Sequence, residues 1–93
     1  MANLGIFNIN TYGQWATLAD ITELTFTEGE KYLLQVNKGG IIQMCEKGEE
    51  PDTNEGFTFM GTQLDTIPYE VGSTDLYIKN LTENTTLNIA IKE

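Results

Sequence analysis

After residue 24 the apolar positions recur with a period of two. Tyr32, Leu34 and Val36 share one face of the segment 31–36, and Leu87, Ile89 and Ile91 alternate with Asn88, Ala90 and Lys92. Leu76 and Ile78 alternate with Tyr77 and Lys79, and Phe57 and Phe59 with Thr58 and Met60. The run 41–45 is almost wholly apolar, broken by Gln43, as a strand covered on both faces would be. Strict alternation of this kind predicts half-buried β-strands, and the β-branched and aromatic content of the runs agrees.

Turn chemistry separates the runs at short intervals. Asn37-Lys38-Gly39-Gly40 supplies glycines able to take positive φ in a tight hairpin. Residues 48–56 form a longer acidic loop with Pro51 inside it, and 71–75 and 82–85 read as further hairpin loops. The predicted fold is all-β: a small β-sandwich or jelly-roll-like barrel of seven or eight short strands. Trp15, Leu18, Ile21 and Leu24 recur every third residue, which predicts a short helical turn near residues 15–21, with a strand followed by a turn as the other reading.

The N-terminal stretch differs. Leu4, Ile6, Phe7 and Ile9 are apolar, but Gly5, Asn3, Asn8 and Asn10 weaken local structure. Two readings are open: a first strand over 6–10, or an arm that reaches another chain. The expected organisation is an N-terminal arm over 1–14 and a single β domain over 15–93, with Leu4, Ile6, Phe7, Tyr12 and Trp15 as interface candidates.

Ninety-three residues leave room for one core. Fourteen acidic residues against five lysines give a net charge of −9, with no Arg and no His. No imidazole is available for a Ser–His or Cys–His couple or for a metal. A single Cys excludes an internal disulfide. A chain this acidic is repelled by nucleic acid and by anionic membranes, so neither is an expected partner. Asn8, Asn10 and Thr11 interrupt any leader-like apolar run, and no stretch approaches the roughly 20 apolar residues of a membrane span. The triplets Asn80-Leu81-Thr82 and Asn84-Thr85-Thr86 are therefore read as chance rather than glycosylation sites.

Candidate chemistry is sparse. The loop 46–55 gathers Glu46, Glu49, Glu50, Asp52 and Glu55 around Lys47, and Asp52-Thr53-Asn54-Glu55-Gly56 imitates the start of a calcium loop. It lacks the further ligand before the Gly and the closing Glu, so a solvated, self-repelling loop is expected, with no metal and no cofactor. Cys45 has no basic neighbour to activate it and reads as a small core residue. The aromatics Trp15, Tyr12, Tyr32, Tyr69 and Tyr77 could stack on bases or sugars, but no cationic groove accompanies them for nucleic acid, and core and interface use is the expectation. No constellation for catalysis emerges, and the chain is expected not to be an enzyme.

Order of motifs carries one further signal. Trp15, Leu18, Thr25 and Phe26 precede Tyr32-Leu33-Leu34-Gln35-Val36; then come 41–46, Pro51 in its acidic loop, Gly56-Phe57, Leu76-Tyr77-Ile78-Lys79 and Leu87-Asn88-Ile89-Ala90. From Trp15 onward this resembles the small β-rich structural virion proteins of tailed bacteriophages. The resemblance implies a non-enzymatic capsid decoration or head-fibre subunit, located in the virion after assembly in the host cytoplasm. It implies contact with the major capsid protein or another virion protein, and a homo-oligomer, with a trimer favoured. Alternatives are a tail or baseplate component, a small carbohydrate-binding module using Tyr69, Tyr77 or Trp15 with the 48–56 loop, or an acidic decoy for a basic host protein.

Overall fold

A computed structural model describes residues 2–9, 12–53, 55–61 and 66–92. Among the described residues eight strands and one short helix follow one another: β1 (Ala2–Asn8), β2 (Ala16–Thr17), α1 (Leu18–Thr22), β3 (Lys31–Val36), β4 (Ile41–Lys47), β5 (Phe57–Met60), β6 (Ile67–Glu70), β7 (Asp75–Asn80) and β8 (Thr86–Ile91). They make two four-stranded sheets, sheet A in the order β1-β8-β3-β6 and sheet B in the order β2-β7-β4-β5. Every strand pairing is antiparallel.

The pairs β1·β8, β2·β7, β3·β6 and β4·β5 are the rungs of one long ribbon folded at the loop after β4. Rolling that ribbon until β8 meets β3 and β7 meets β4 gives the jelly roll. Strand periodicity explains why it closes. Tyr32, Leu34 and Val36 of β3 meet Leu87 and Ile89 of β8 from one sheet, and Ile42, Met44, Leu76 and Ile78 face them from the other. Leu34, Ile42, Ile78, Leu87 and Ile89 are wholly inaccessible to solvent. Phe26 adds an edge-to-face contact with Tyr32, ring centroids 5.2 Å apart.

The N-terminal segment is part of this domain. β1 pairs with β8 along its length, Ile9 is buried in the core, and Phe7 packs against it. No boundary falls between residues 14 and 15, because Tyr12 bridges to Asn80 and the Gly13 N–H donates to the Asn80 carbonyl at 2.9 Å. The division into an arm over 1–14 and a domain over 15–93 is thus replaced by a first strand within one domain; Met1, Asn10 and Thr11 lie outside the described residues. The apolar face of Ile9, Phe7 and the opposite Leu87 supplies the reason, since burial on the core outweighs the weak local propensity of Asn and Gly.

The helix also starts later than its spacing suggests. Ala16 and Thr17 pair with Ile78 and Tyr77 as a short strand. The Thr17 hydroxyl then caps the Asp20 N–H at 3.1 Å, so helix begins at Leu18. It ends at Glu23, whose left-handed φ of 59° lets its N–H reach the Ala19 carbonyl.

Truncation of the core at Leu34→Ala should lower unfolding free energy by about 3 kcal/mol, while Leu33→Ala, half-buried on the other face of the same strand, should cost less than about 1.5 kcal/mol. Urea denaturation of the two variants checks the assignment of faces.

Candidate functional site

Strand polarity sorts the charges. The turns before β3, after β4 and before β7 share one end of the sandwich, together with α1. That end and the loop folded from it carry Asp20, Glu23, Glu28, Glu30, Glu46, Glu49, Glu50, Asp52, Glu55, Glu70 and Asp75. The opposite end, built from residues 12–14, 37–40 and 81–85, carries Lys38 and, among the described residues, Glu83 as its one acid. No repeat or run in the sequence announces this, because the carboxylates are scattered along the chain and only the alternating strand directions gather them.

The near-neutral end is tightly cross-linked. The Asn37 side chain accepts from the Thr86 N–H at 2.9 Å and donates to the Asn84 carbonyl at 3.3 Å. Thr82 accepts from the Ile41 N–H, and its hydroxyl lies 2.8 Å from that of Thr85. Gly61 and Gly40 are required beside Asn37: a Cβ on Gly61 would stand 2.0 Å from the Asn37 carbonyl oxygen. On this stitched platform Tyr12 (60% exposed) and Leu81 project to solvent. Asn80, the acceptor of the first glycosylation-type triplet, is buried.

At the acidic end the loop after β4 does not float free. It folds back over the outer face of sheet B, where the Trp15 indole N–H donates to the Asp52 carbonyl at 3.1 Å. Lys79, only 4% exposed although it lies on the outward side of β7, donates to the Thr53 carbonyl. Its ammonium also stands 4.8 Å from the centre of the Trp15 ring. Lys47 holds the Glu55 carboxylate at 2.9 Å, and Glu55 accepts from the Asp52 N–H at 2.8 Å. The backbone N–H of Asp52, then Lys47, keeps the Glu55 carboxyl below its ordinary value. The expected self-repelling loop is therefore a strap, with two lysines offsetting its charge and Pro51 buried beneath it.

Several candidates lie on or beside that strap. Glu55 is engaged within the chain, Asn54 lies outside the described residues, and no group of three metal-ligating side chains forms among the described residues. Cys45 is not in the sandwich core; register sets it beside Tyr77 on the half-buried outer face of sheet B, since Met44 takes the inward position. Of the five interface candidates, Ile6 (70% exposed), Leu4 and Tyr12 face solvent, Phe7 packs on the core and Trp15 clamps the strap. They do not form one patch.

Open clefts indent the surface. One of about 270 Å³ lies between α1 and the turn before β7, lined by Phe26, Tyr69 and Asp75. Another of about 340 Å³ follows the seam between β5 and β6, lined by Met44, Phe57, Phe59, Ile67, Pro68 and Tyr69. Tyr69 borders both. Its burial, then the nearby Glu46 and Asp75 carboxylates, pushes its phenol up to about 12. No helix among the described residues is long and apolar enough to cross a membrane. Compared with known proteins, the chain matches no family model, no curated protein and no solved structure.

Two outcomes follow from this chemistry. Trp15 is the sole tryptophan and reports on the strap. Lys79→Met should red-shift its emission, and Glu55→Gln should do so less. In the wild type, acid should release the strap only below the ordinary carboxyl value of 4.5, because the depressed Glu55 keeps its contribution down to its own lower value and loses it there. At the alkaline side, an unfolded Tyr69 ionises near 10 and the folded one near 12. Stability should fall as pH rises between those values, and Tyr69→Phe should flatten that fall in a denaturation series.

Proposed function

We propose that this chain is a structural subunit of a bacteriophage particle, a capsid-surface decoration or head-fibre component, that gains its use from contact area rather than catalysis. The observation that carries the reading is the polarity of the sandwich. Among the described residues, one end is a hydrogen-bonded platform with exposed Tyr12 and Leu81 that carries only Lys38 and Glu83 as charges; the other gathers the remaining carboxylates. A subunit on a crowded shell needs this division, with an uncharged face inward to bury against the particle and a like-charged face outward to keep assembled particles apart.

Ile6, on the outer face of β1 opposite Asn88, extends the contact surface from the end onto the side of sheet A. The absence of His from the chain and the engagement of Lys47 and Lys79 within the strap support a non-enzymatic role. The phage setting rests on the resemblance of the motif order to small virion proteins. Jelly rolls serve many functions, so the fold itself contributes little to the choice.

Mass spectrometry of purified particles of the phage encoding the chain should find it at stoichiometric level; its absence from intact particles would remove the proposal. Deleting residues 1–14 would take away an edge strand and Ile9, so point changes serve better. Tyr12→Asp and Ile6→Asp should each weaken rebinding to stripped particles by tenfold or more, since each buries an unpaired charge at the interface, without shifting the urea midpoint of the free subunit.

A further inference from the structure

We infer that β5 is a self-association edge, by which two copies of this chain join sheet B to sheet B about a twofold axis. The inference goes beyond the particle role proposed above, since such pairing needs no particle.

An open jelly roll has four edge strands, and three of them carry devices that discourage pairing. β2 has only two residues. β1 is broken by a bulge between Asn3 and Gly5, with Gly5 at φ +128°. β6 carries Pro68, which has no N–H, and the charged Glu70. β5, with the sequence Phe-Thr-Phe-Met, has no charge, no Pro, no Gly and no bulge.

Its register states what the edge offers. The Gly61 N–H donates to the Gly40 carbonyl, which fixes Gly61, Phe59 and Phe57 as the residues turned toward β4. The N–H and C=O groups of Thr58 and Met60 therefore point the other way, and no other described segment takes them up. Antiparallel pairing centred on Phe59 sets Thr58 of each copy opposite Met60 of the other. Both residues then give and take a backbone bond, and Phe59 faces its own copy. Because the strand meets itself, the arrangement is isologous and closes as a dimer.

Register selects a second copy as the occupant, because β5 is complementary to itself about Phe59, and charge leaves this edge open to one. Each chain carries −9, so most of the surface repels another copy, yet β5 between Gly56 and Gly61 presents no carboxylate. Burial supplies the drive: Phe57 is 77% exposed and Met60 58% exposed, beside the apolar cleft along the β5–β6 seam. The phage resemblance implies a trimer, whereas a strand pairing with its own copy requires a twofold.

Sedimentation of the full chain across a concentration series tests this. The wild type should reach twice the chain mass, with the Thr58 and Met60 amides protected from hydrogen exchange. Thr58→Pro deletes an outward N–H while leaving the bonds to β4 untouched, and Thr58→Glu puts a carboxylate on each copy at the joint. Both should abolish the dimer while keeping the far-UV spectrum; if the proline variant unfolds, the glutamate variant decides. Tyr12→Asp, at the platform, should dimerise as the wild type does. A wild type that stays monomeric throughout, a trimer, or a dimer that survives Thr58→Glu would each overturn the inference.

Discussion

The placement of β8 between β1 and β3 holds the molecule together. Its backbone groups divide by parity: Leu87, Ile89 and Ile91 turn toward β1, and Thr86, Asn88 and Ala90 toward β3. Those same odd residues carry their side chains into the core, where Leu87 and Ile89 are fully enclosed. The last strand of the chain thus fastens the first strand and the middle one at once. A residue slip in β8 would expose Leu87 and Ile89 and bury Asn88 with Thr86, so register is strongly specified. The closure is also distant in sequence, which makes the topology costly in loop entropy and slow to form relative to local folds.

From that closure the asymmetry of charge follows. Alternating strand directions send every other turn to the same end, and among the described residues the chain places its turn acids other than Glu83 in one set and Asn37, Thr82 and Thr85 in the other. Side-chain-to-backbone bonds from Asn37, Thr82 and Thr85 can then rigidify one end. At the other end Lys47 and Lys79 are spent inside the protein. Lys79 is shielded by Trp15 and the Thr53 carbonyl, so it contributes little field at the surface. The outward potential is more uneven than a net charge of −9 conveys.

The strand pattern was legible because two-residue periodicity reports burial directly, and β3, β4, β7 and β8 fall where alternation sets them. β1 was ambiguous because Asn3, Gly5 and Asn8 carry poor local propensity, and only tertiary contact with Leu87 decides between strand and arm. The spacing of Trp15 and Leu18 reads as helix, but Trp15 serves the outer face of sheet B and Leu18 the core, two surfaces that no single helix face joins. Cys45 and Lys79 were hidden for a related reason. Their outward positions are covered by a loop whose path depends on contacts 26 and 37 residues apart. The platform at the near-neutral end was illegible for want of a local signal, being assembled from three turns.

The strap also bears on how sheet B can be used. An outer face left bare would offer Tyr77, Cys45 and Gln43 as a flat half-apolar surface, a broad target for other proteins. Folding 48–56 across it withdraws that face from contact and leaves the sheet's long edge as its accessible apolar feature. The loop does this at modest cost, because its carboxylates stay in water while its backbone carbonyls, not its charges, meet Trp15 and Lys79. The buried Gln43 Oε1, unpartnered beside Lys79 in register, marks the residual penalty. An acidic loop is well suited to be such a cover, since repulsion among Glu49, Glu50 and Asp52 keeps its outer side hydrated, while Lys47 and Lys79 hold its inner side down.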